Sequence, residues 1–318
     1  MSRNRGASLT RLGGDRFRIL ALDGGGAKGF YTLGGLKQVE ALVGSRLCEK
    51  FNLIYGTSTG SIIGTMLALG MSVDEIHQLY REHVPSVMKL RTAAAKTRRL
   101  EELASEIFGD RKFEAVRTGI GVVATKWLLE TPMIFKADPG QAHGRKATFT
   151  PGFGCRLADA VQASCSAYPF FNRKIVRTSS GDEIELADGG FCANNPALYA
   201  IADATRAFKV GYENISLLSI GVGVYPKPKI TNPKDWLIDK LPSVQLLQKT
   251  LEINTQSMEQ LRQVLYGSIQ TVRINQTFAQ PEMATDLLEH NLTKLNLLHQ
   301  RGSESFAEHE EQIRDLLH

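Results

Sequence analysis

The chain has 318 residues, 42% of them hydrophobic, with a formal net charge of +5 and a pI near 9.0. That is enough apolar material for one sizeable α/β domain, alone or with an appendage, and too small a basic excess to indicate a nucleic acid polymer as partner. Cys48, Cys155, Cys165 and Cys192 show no paired spacing and no C-x-x-C pattern, which predicts reduced, mostly buried thiols.

Residues 1–15 are basic and glycine-containing and read as a loose arm without the apolar core of a secretory signal. Phe17 to Asp23 turns apolar and predicts a first strand, followed by Gly24-Gly25-Gly26-Ala27-Lys28-Gly29 and a helix from about Phe30 to Val43. A second apolar run, Phe51 to Tyr55, leads into Gly56-Thr57-Ser58-Thr59-Gly60. Beyond it, Ser61 to Leu69 is apolar all round, as a buried helix is. The strand, G-x-S-x-G and helix together form a nucleophile elbow. Small residues at Gly56 and Gly60 let the chain turn sharply and lift the Ser58 hydroxyl clear of the sheet. The βαβα order predicts a mostly parallel sheet with right-handed crossovers.

Residues 72–118 read as helical, with Ser72 as N-cap and Glu75 three places on. The basic run Lys89, Arg91, Lys96, Arg98 and Arg99 is expected on a solvated face, with anionic lipid as the sharper alternative. Gly119–Lys126 and Trp127–Lys136 predict a strand pair, 137–153 a loop, and Leu157–Ala167 a helix. A hairpin over 171–187 turns at Ser179–Asp182, Asn195-Pro196 opens a helix, and Ile215–Val224 is a buried strand. After Tyr225 the composition shifts, and Pro226-Lys227-Pro228-Lys229 reads as a linker. Residues 234–318 are largely amphipathic helix with a short strand at Val272-Arg273-Ile274. Three segments result: an arm at 1–15, a catalytic domain at 16–225, and a helical C-terminal cap at 226–318 packed on the same domain. No apolar run approaches the ~20 residues needed to span a bilayer, so the expected location is cytoplasmic with any membrane contact made from the surface.

Gly24-x-Gly26-x-x-Gly29 matches a dinucleotide fingerprint, but the second strand ends in the elbow and not in the acidic residue that fingerprint needs. Beside the elbow, the loop makes sense as an oxyanion hole, with side-chain-free amides at Gly24, Gly25 and Gly26. The base is less settled from the residues. His143, in the glycine-rich loop, suits a conventional Ser-His-Asp esterase. Asp188 ends a strand ahead of Gly189-Gly190 and can act directly if desolvation raises its pKa. A nucleotide-binding regulator without hydrolysis is the remaining alternative.

Asp23-Gly24-Gly25-Gly26-Ala27-Lys28-Gly29, Gly56-Thr57-Ser58-Thr59-Gly60 and Asp188-Gly189-Gly190, taken together, resemble the patatin-like phospholipases. Ala163 to Phe171 and Ala193-Asn194-Asn195-Pro196 are similar to that family's intervening and following blocks, so the match runs in order over about residues 17–224. The resemblance implies a three-layer α/β fold with a mostly parallel central sheet flanked by helices. It also implies a Ser58–Asp188 dyad without histidine, and hydrolysis of phospholipid acyl esters without metal or cofactor. Lys126-Trp127 departs from the Asp-Leu pair of many members. The helical tail is most similar to cyclic-nucleotide-activated antiphage (CBASS) effectors. This implies a cyclic dinucleotide activator and a membrane phospholipid substrate met peripherally at the inner membrane, and leaves a homodimer or activated oligomer open.

Overall fold

The apolar runs near the start of the chain lie side by side. In the computed structural model, which describes residues 16–228 and 242–318, β1 (Phe17–Leu22) sits between β2 (Leu53–Thr57) and β7 (Ile215–Ile220), parallel to both. β3 (Gly119–Lys126) lies parallel to β2 on its far side. The eight strands run in the order β5-β6-β3-β2-β1-β7-β8, with β4 (Thr131–Lys136) antiparallel on the free edge of β3. β5 (Lys174–Arg177) and β6 (Glu183–Asp188) form the expected hairpin.

Alternation along the strands makes three layers. Leu20, Leu22 and Ile54 face one core, which takes in α1 (Gly29–Val43) and α3 (Thr59–Ala68). Ile19, Ala21, Leu53 and Tyr55 face a second core with α8 (Ala197–Ala202). Between them in the chain come short α2 (Leu47–Lys50), α4 (Val73–Met88), α5 (Ala93–Phe108), α6 (Leu157–Ser164) and α7 (Gly190–Ala193). Ser72 and Glu75 close a reciprocal capping box at the start of α4, as the spacing predicts. All four cysteines are free.

Several expectations shift. The helical stretch over 72–118 is two helices, α4 and α5, followed by a short 3-10 turn at Phe113–Ala115. In the basic run, Lys96 is buried with its ammonium 5.8 Å from the centre of the Phe170 ring, so the run is not one exposed patch. The second strand of the 119–136 pair begins only at Thr131. Residues 127–130 form the turn, leaving Leu128 and Leu129 78% and 67% exposed. The strand expected over Ile215–Val224 stops at Ile220.

The arm at 1–15 and residues 229–241, which include Lys229 of the expected linker, lie outside the described residues. From 242 onward the tail both covers the sheet and enters it. α9 (Pro242–Tyr266) leads to β8 (Gln270–Ile274), which pairs parallel with β7. α10 (Leu292–Ala307) then crosses α1 so closely that a Cβ at Gly34 would stand 1.9 Å from the His299 carbonyl oxygen. α11 (Glu310–Leu317) closes the chain. The short strand read at 272–274 is therefore a rung of the central sheet. Among the described residues no helix is long and apolar enough to cross a membrane.

Candidate active site

The register of β3 explains how two distant residues meet. One edge of β3 is taken by β4. The other edge is shared: β2 occupies it as far as Thr57 opposite Val123, and β6 takes over with Asp188 opposite Ala124. β2 runs parallel to β3 and β6 antiparallel, so their C-terminal ends arrive head to head on consecutive rungs. Ser58 follows the first end and Asp188 is the second.

Ser58 has φ 51° and ψ −121°, a conformation that L residues rarely adopt. Its neighbours permit the turn because they have no side chains. A Cβ at Gly56 would stand 2.3 Å from the Gly60 carbonyl oxygen, and one at Gly60 2.3 Å from that of Leu22. The Ser58 N–H donates to Ser164 Oγ at 2.9 Å, and that hydroxyl donates to the Val123 carbonyl at 2.6 Å. The Ser58 carbonyl accepts the Ser61 hydroxyl at 2.7 Å, within the first turn of α3. The elbow is thus tied down on both sides.

Asp188 is 1% exposed. Burial pushes its carboxyl up to about 7, against the lowering effects of the Gly190 N–H, which donates to it at 2.7 Å, and of the Ser58 hydroxyl. Ser58 and Asp188 line the same cavity. A carboxylate of that basicity is suited to receive a serine proton near neutral pH. The Thr125 hydroxyl donates to the Asp188 carbonyl at 2.8 Å, fixing the end of β6.

The glycine loop enters the same space, with one correction. The Gly24 N–H already donates to the Asn194 carbonyl at 3.0 Å, so Gly24 has no amide to offer an oxyanion. Gly25 and Gly26 line the cavity with Ser58, and their amides are the donors that remain. Gly26 has φ 57°, and a Cβ there would meet the Leu287 carbonyl oxygen at 2.5 Å. What Gly24 contributes is position. Asn194 Nδ2 donates to its carbonyl at 3.2 Å, doubling the link between the two loops.

His143 stands elsewhere. Its Nε2 lies 2.7 Å from Asp203, a buried carboxylate that also takes the Tyr55 hydroxyl, Gln141 Nε2 at 2.9 Å and Lys136 Nζ at 2.5 Å. The Ser-His-Asp arrangement built on it is not formed. Asp23 does not face the site as a free charge. Arg273 of β8 holds it through two guanidinium nitrogens, at 2.9 and 2.5 Å. Three residues that the motifs do not single out are therefore central to the geometry: Ser164, Asn194 and Arg273. Ser164 and Asn194 lie within the flanking blocks of the resemblance, but no spacing rule marks their contacts.

From Ser58 and Asp188 the cavity runs between α3, α4, α5 and α6. Its walls are apolar, with Ile62, Met66, Leu79, Leu103, Phe108 and Val161 among them. Such a slot accepts a hydrocarbon chain and excludes water from the reacting centre.

The patatin-like phospholipase family model matches residues 20–201, more than half of the chain, a span that includes Ser58 and Asp188. The chain belongs to the patatin-like phospholipase family. Hydrolysis is the reaction class of the family. The patatin-like chain is 60% identical over 314 residues to the cUMP-AMP-activated phospholipase of Escherichia coli, covering 97% of each. It is 24% identical to the cGAMP-activated phospholipase of E. coli strain TW11681, over 70% of this chain and 67% of that one. Among solved structures it is similar to VipD from Legionella pneumophila, with a TM-score of 0.49, 14% identity, and coverage of 95% of this chain and 67% of the other.

Proposed function

We propose that the protein hydrolyses acyl esters of membrane phospholipids, with Ser58 as nucleophile and Asp188 as base. The observation that carries the reading is that Ser58 and the buried Asp188, its carboxyl raised to about 7, are brought together by consecutive positions of β3 and line one apolar cavity. Ser58 Oγ attacks the acyl carbonyl carbon while Asp188 takes its proton. The developing oxyanion is held by the Gly25 and Gly26 amides, and the N-terminus of α3 adds a favourable dipole. Asp188 then returns the proton to the leaving alkoxide. Water deprotonated by Asp188 then attacks the acyl-serine carbonyl, and Asp188 returns that proton to the departing Ser58 Oγ as the fatty acid is released. Nucleophile, base and oxyanion donors all come from the chain, so the sequence of steps calls on no metal or cofactor.

The membrane is reached from the surface of a cytoplasmic protein. β3 runs parallel to β2, so its turn Trp127-Leu128-Leu129 projects beyond the same sheet edge as Ser58. Trp127 packs edge-on against Phe191, with the Arg173 guanidinium 4.8 Å from its ring centre. Exposed leucines beside an aromatic and a cation suit the interfacial zone of a bilayer. Activity is under the control of a cyclic dinucleotide, a reading supported by the similarity to a cUMP-AMP-activated phospholipase over nearly the whole chain. A homodimer or activated oligomer is compatible with such control.

The test is fatty-acid release from phospholipid vesicles, with and without cyclic UMP–AMP. Wild type should release fatty acid and Ser58→Ala should not. Release by the alanine variant removes the dyad. Equal rates with and without a panel of cyclic nucleotides remove the control.

A further inference from the structure

Beside the catalytic cavity, and sharing Gly25, Asn194, Leu251 and Leu287 with it, lies a second cavity of different character. It is walled by Lys28 of the glycine loop, by Tyr225 and Thr285, and by Glu252 of α9, with Lys227 and Lys249 at its exposed rim. Thr285 is 6% exposed, and its hydroxyl has no hydrogen-bond partner among the described residues. The buried Tyr225 hydroxyl is unpaired in the same sense. Buried hydroxyls are nearly always paired, because leaving one unpaired costs stability. Both residues line the cavity, and a polar ligand drawing either hydroxyl toward it would supply the missing partner.

The charges indicate the chemistry. Lys28 Nζ lies 6.0 Å from the Tyr225 ring centre, and burial pushes its ammonium down in pKa while Glu252, Asp286 and Asp23 hold it up. Asp23 is already committed to Arg273. Three cations therefore share the cavity with the carboxylates Glu252 and Asp286. That mixture suits a ligand carrying both anionic phosphates and hydrogen-bond donors on bases or riboses.

We infer that this cavity seats a cyclic dinucleotide, with Lys28, Lys227 and Lys249 toward phosphate and the Thr285 and Tyr225 hydroxyls completing its contacts. Glu252 and Asp286 accept from its donor groups. The inference rests on the nucleotide control proposed above and assigns it a place.

The place gives a route to the catalytic loop. α9 forms one wall through Gln248, Glu252 and Thr255. One turn away, its Asn254 side chain accepts the Asn194 N–H at 2.7 Å, and Thr255 Oγ1 accepts Asn194 Nδ2 at 2.7 Å. Asn194 in turn holds Gly24 from both its N–H and its carbonyl. A ligand that shifts α9 thus moves the residue next to the Gly25 and Gly26 amides. Leu251, on the same helix, lines both cavities.

The test is calorimetric titration of the full chain with cyclic UMP–AMP, cyclic GMP–AMP and, as a soluble headgroup mimic, glycerophosphoglycerol. Wild type is compared with Thr285→Val/Tyr225→Phe and with the rim variant Lys249→Glu. The expected result is nucleotide binding that weakens at least tenfold in the double variant. Its ligand-free unfolding midpoint should be kept or raised, since the lost hydroxyls were unpaired. Lys249→Glu should weaken binding most at low salt. Equal nucleotide affinity in all three proteins overturns the inference and leaves nucleotide control standing. No nucleotide binding by wild type, with hydrolysis indifferent to nucleotide, removes the control and the inference together. Loss in the double variant of glycerophosphoglycerol binding alone reassigns the cavity to the substrate headgroup and also overturns it.

Discussion

Thr57 and Asp188 pair with consecutive residues of β3, Val123 and Ala124, from strands that approach one another end to end. One edge of one strand thereby sets how close Ser58, the proposed nucleophile, comes to Asp188, the proposed base. The close fit at the junction has no slack: a Cβ at Gly189 would stand 2.1 Å from the Val123 carbonyl oxygen. Gly189→Ala should therefore lower fatty-acid release at least tenfold although it removes no reacting group. Circular dichroism and a soluble-ester assay measure fold and rate separately.

Asp188 makes activity and stability depend on pH in opposite directions. In its proposed role as base it must be ionised, so kcat/KM should rise with pH through about 7 and level off above. For stability, the unfolded carboxyl ionises near 3.8 and the folded one near 7. Between those values the folded state binds more protons, so stability falls as pH rises from about 4 to 7 and is flat beyond. Asp188→Asn should be inactive yet more resistant to urea than wild type at pH 8, by at most roughly 4 kcal/mol. The two proteins should converge near pH 4. Urea titrations at both pH values check the sign.

The backbone at Ser58 makes a second separation of activity from stability. Its φ of 51° with ψ of −121° costs a residue with a side chain on the order of 1–3 kcal/mol, and glycine much less. Ser58→Gly and Ser58→Ala should both be inactive, with the glycine variant more stable by about 1 kcal/mol or more. Equal unfolding midpoints would show that the elbow holds no strain.

Arg273 gives a prediction that no motif suggests. It reaches from the last strand of the sheet to the buried Asp23 at the root of the glycine loop. Removing one member of a buried pair leaves the other uncompensated, at about 3–5 kcal/mol. Arg273→Met should show a loss of that order by urea unfolding. Asp23→Asn/Arg273→Met should recover much of it, because no buried charge remains.

How much of this was legible beforehand follows from where each contact lies in the chain. The elbow, the glycine loop and Asp188-Gly189-Gly190 were readable because each carries its chemistry within a few consecutive residues. The use of the Gly24 amide by Asn194 was not, since the partner lies 170 residues away and is set by packing. Arg273 was hidden for the same reason, 250 residues from Asp23. The tail read as helix with a short strand at Val272-Arg273-Ile274, and what stayed hidden was its place, since only pairing along the edge of β7 makes it β8 of the central sheet. Residues 127–130 followed an apolar pattern that fits a strand equally well, and exposure alone distinguishes them as a turn.

That turn supplies the last prediction. Leu128 and Leu129 are the most exposed of the large apolar residues near the catalytic edge, and neither supports the core. Burying a leucine in a bilayer interface is worth about 1.5–3 kcal/mol, so two of them should dominate partitioning of the free protein onto neutral vesicles. Leu128→Asp/Leu129→Asp should therefore reduce vesicle binding by at least tenfold, measured by co-sedimentation. Hydrolysis of a soluble short-chain ester should persist, since the turn touches neither Ser58 nor Asp188. Fatty-acid release from vesicles should fall in step with binding. If vesicle binding survives the double substitution, the bilayer is met by another face, and if the soluble-ester rate collapses as well, the turn supports the site instead of the membrane contact.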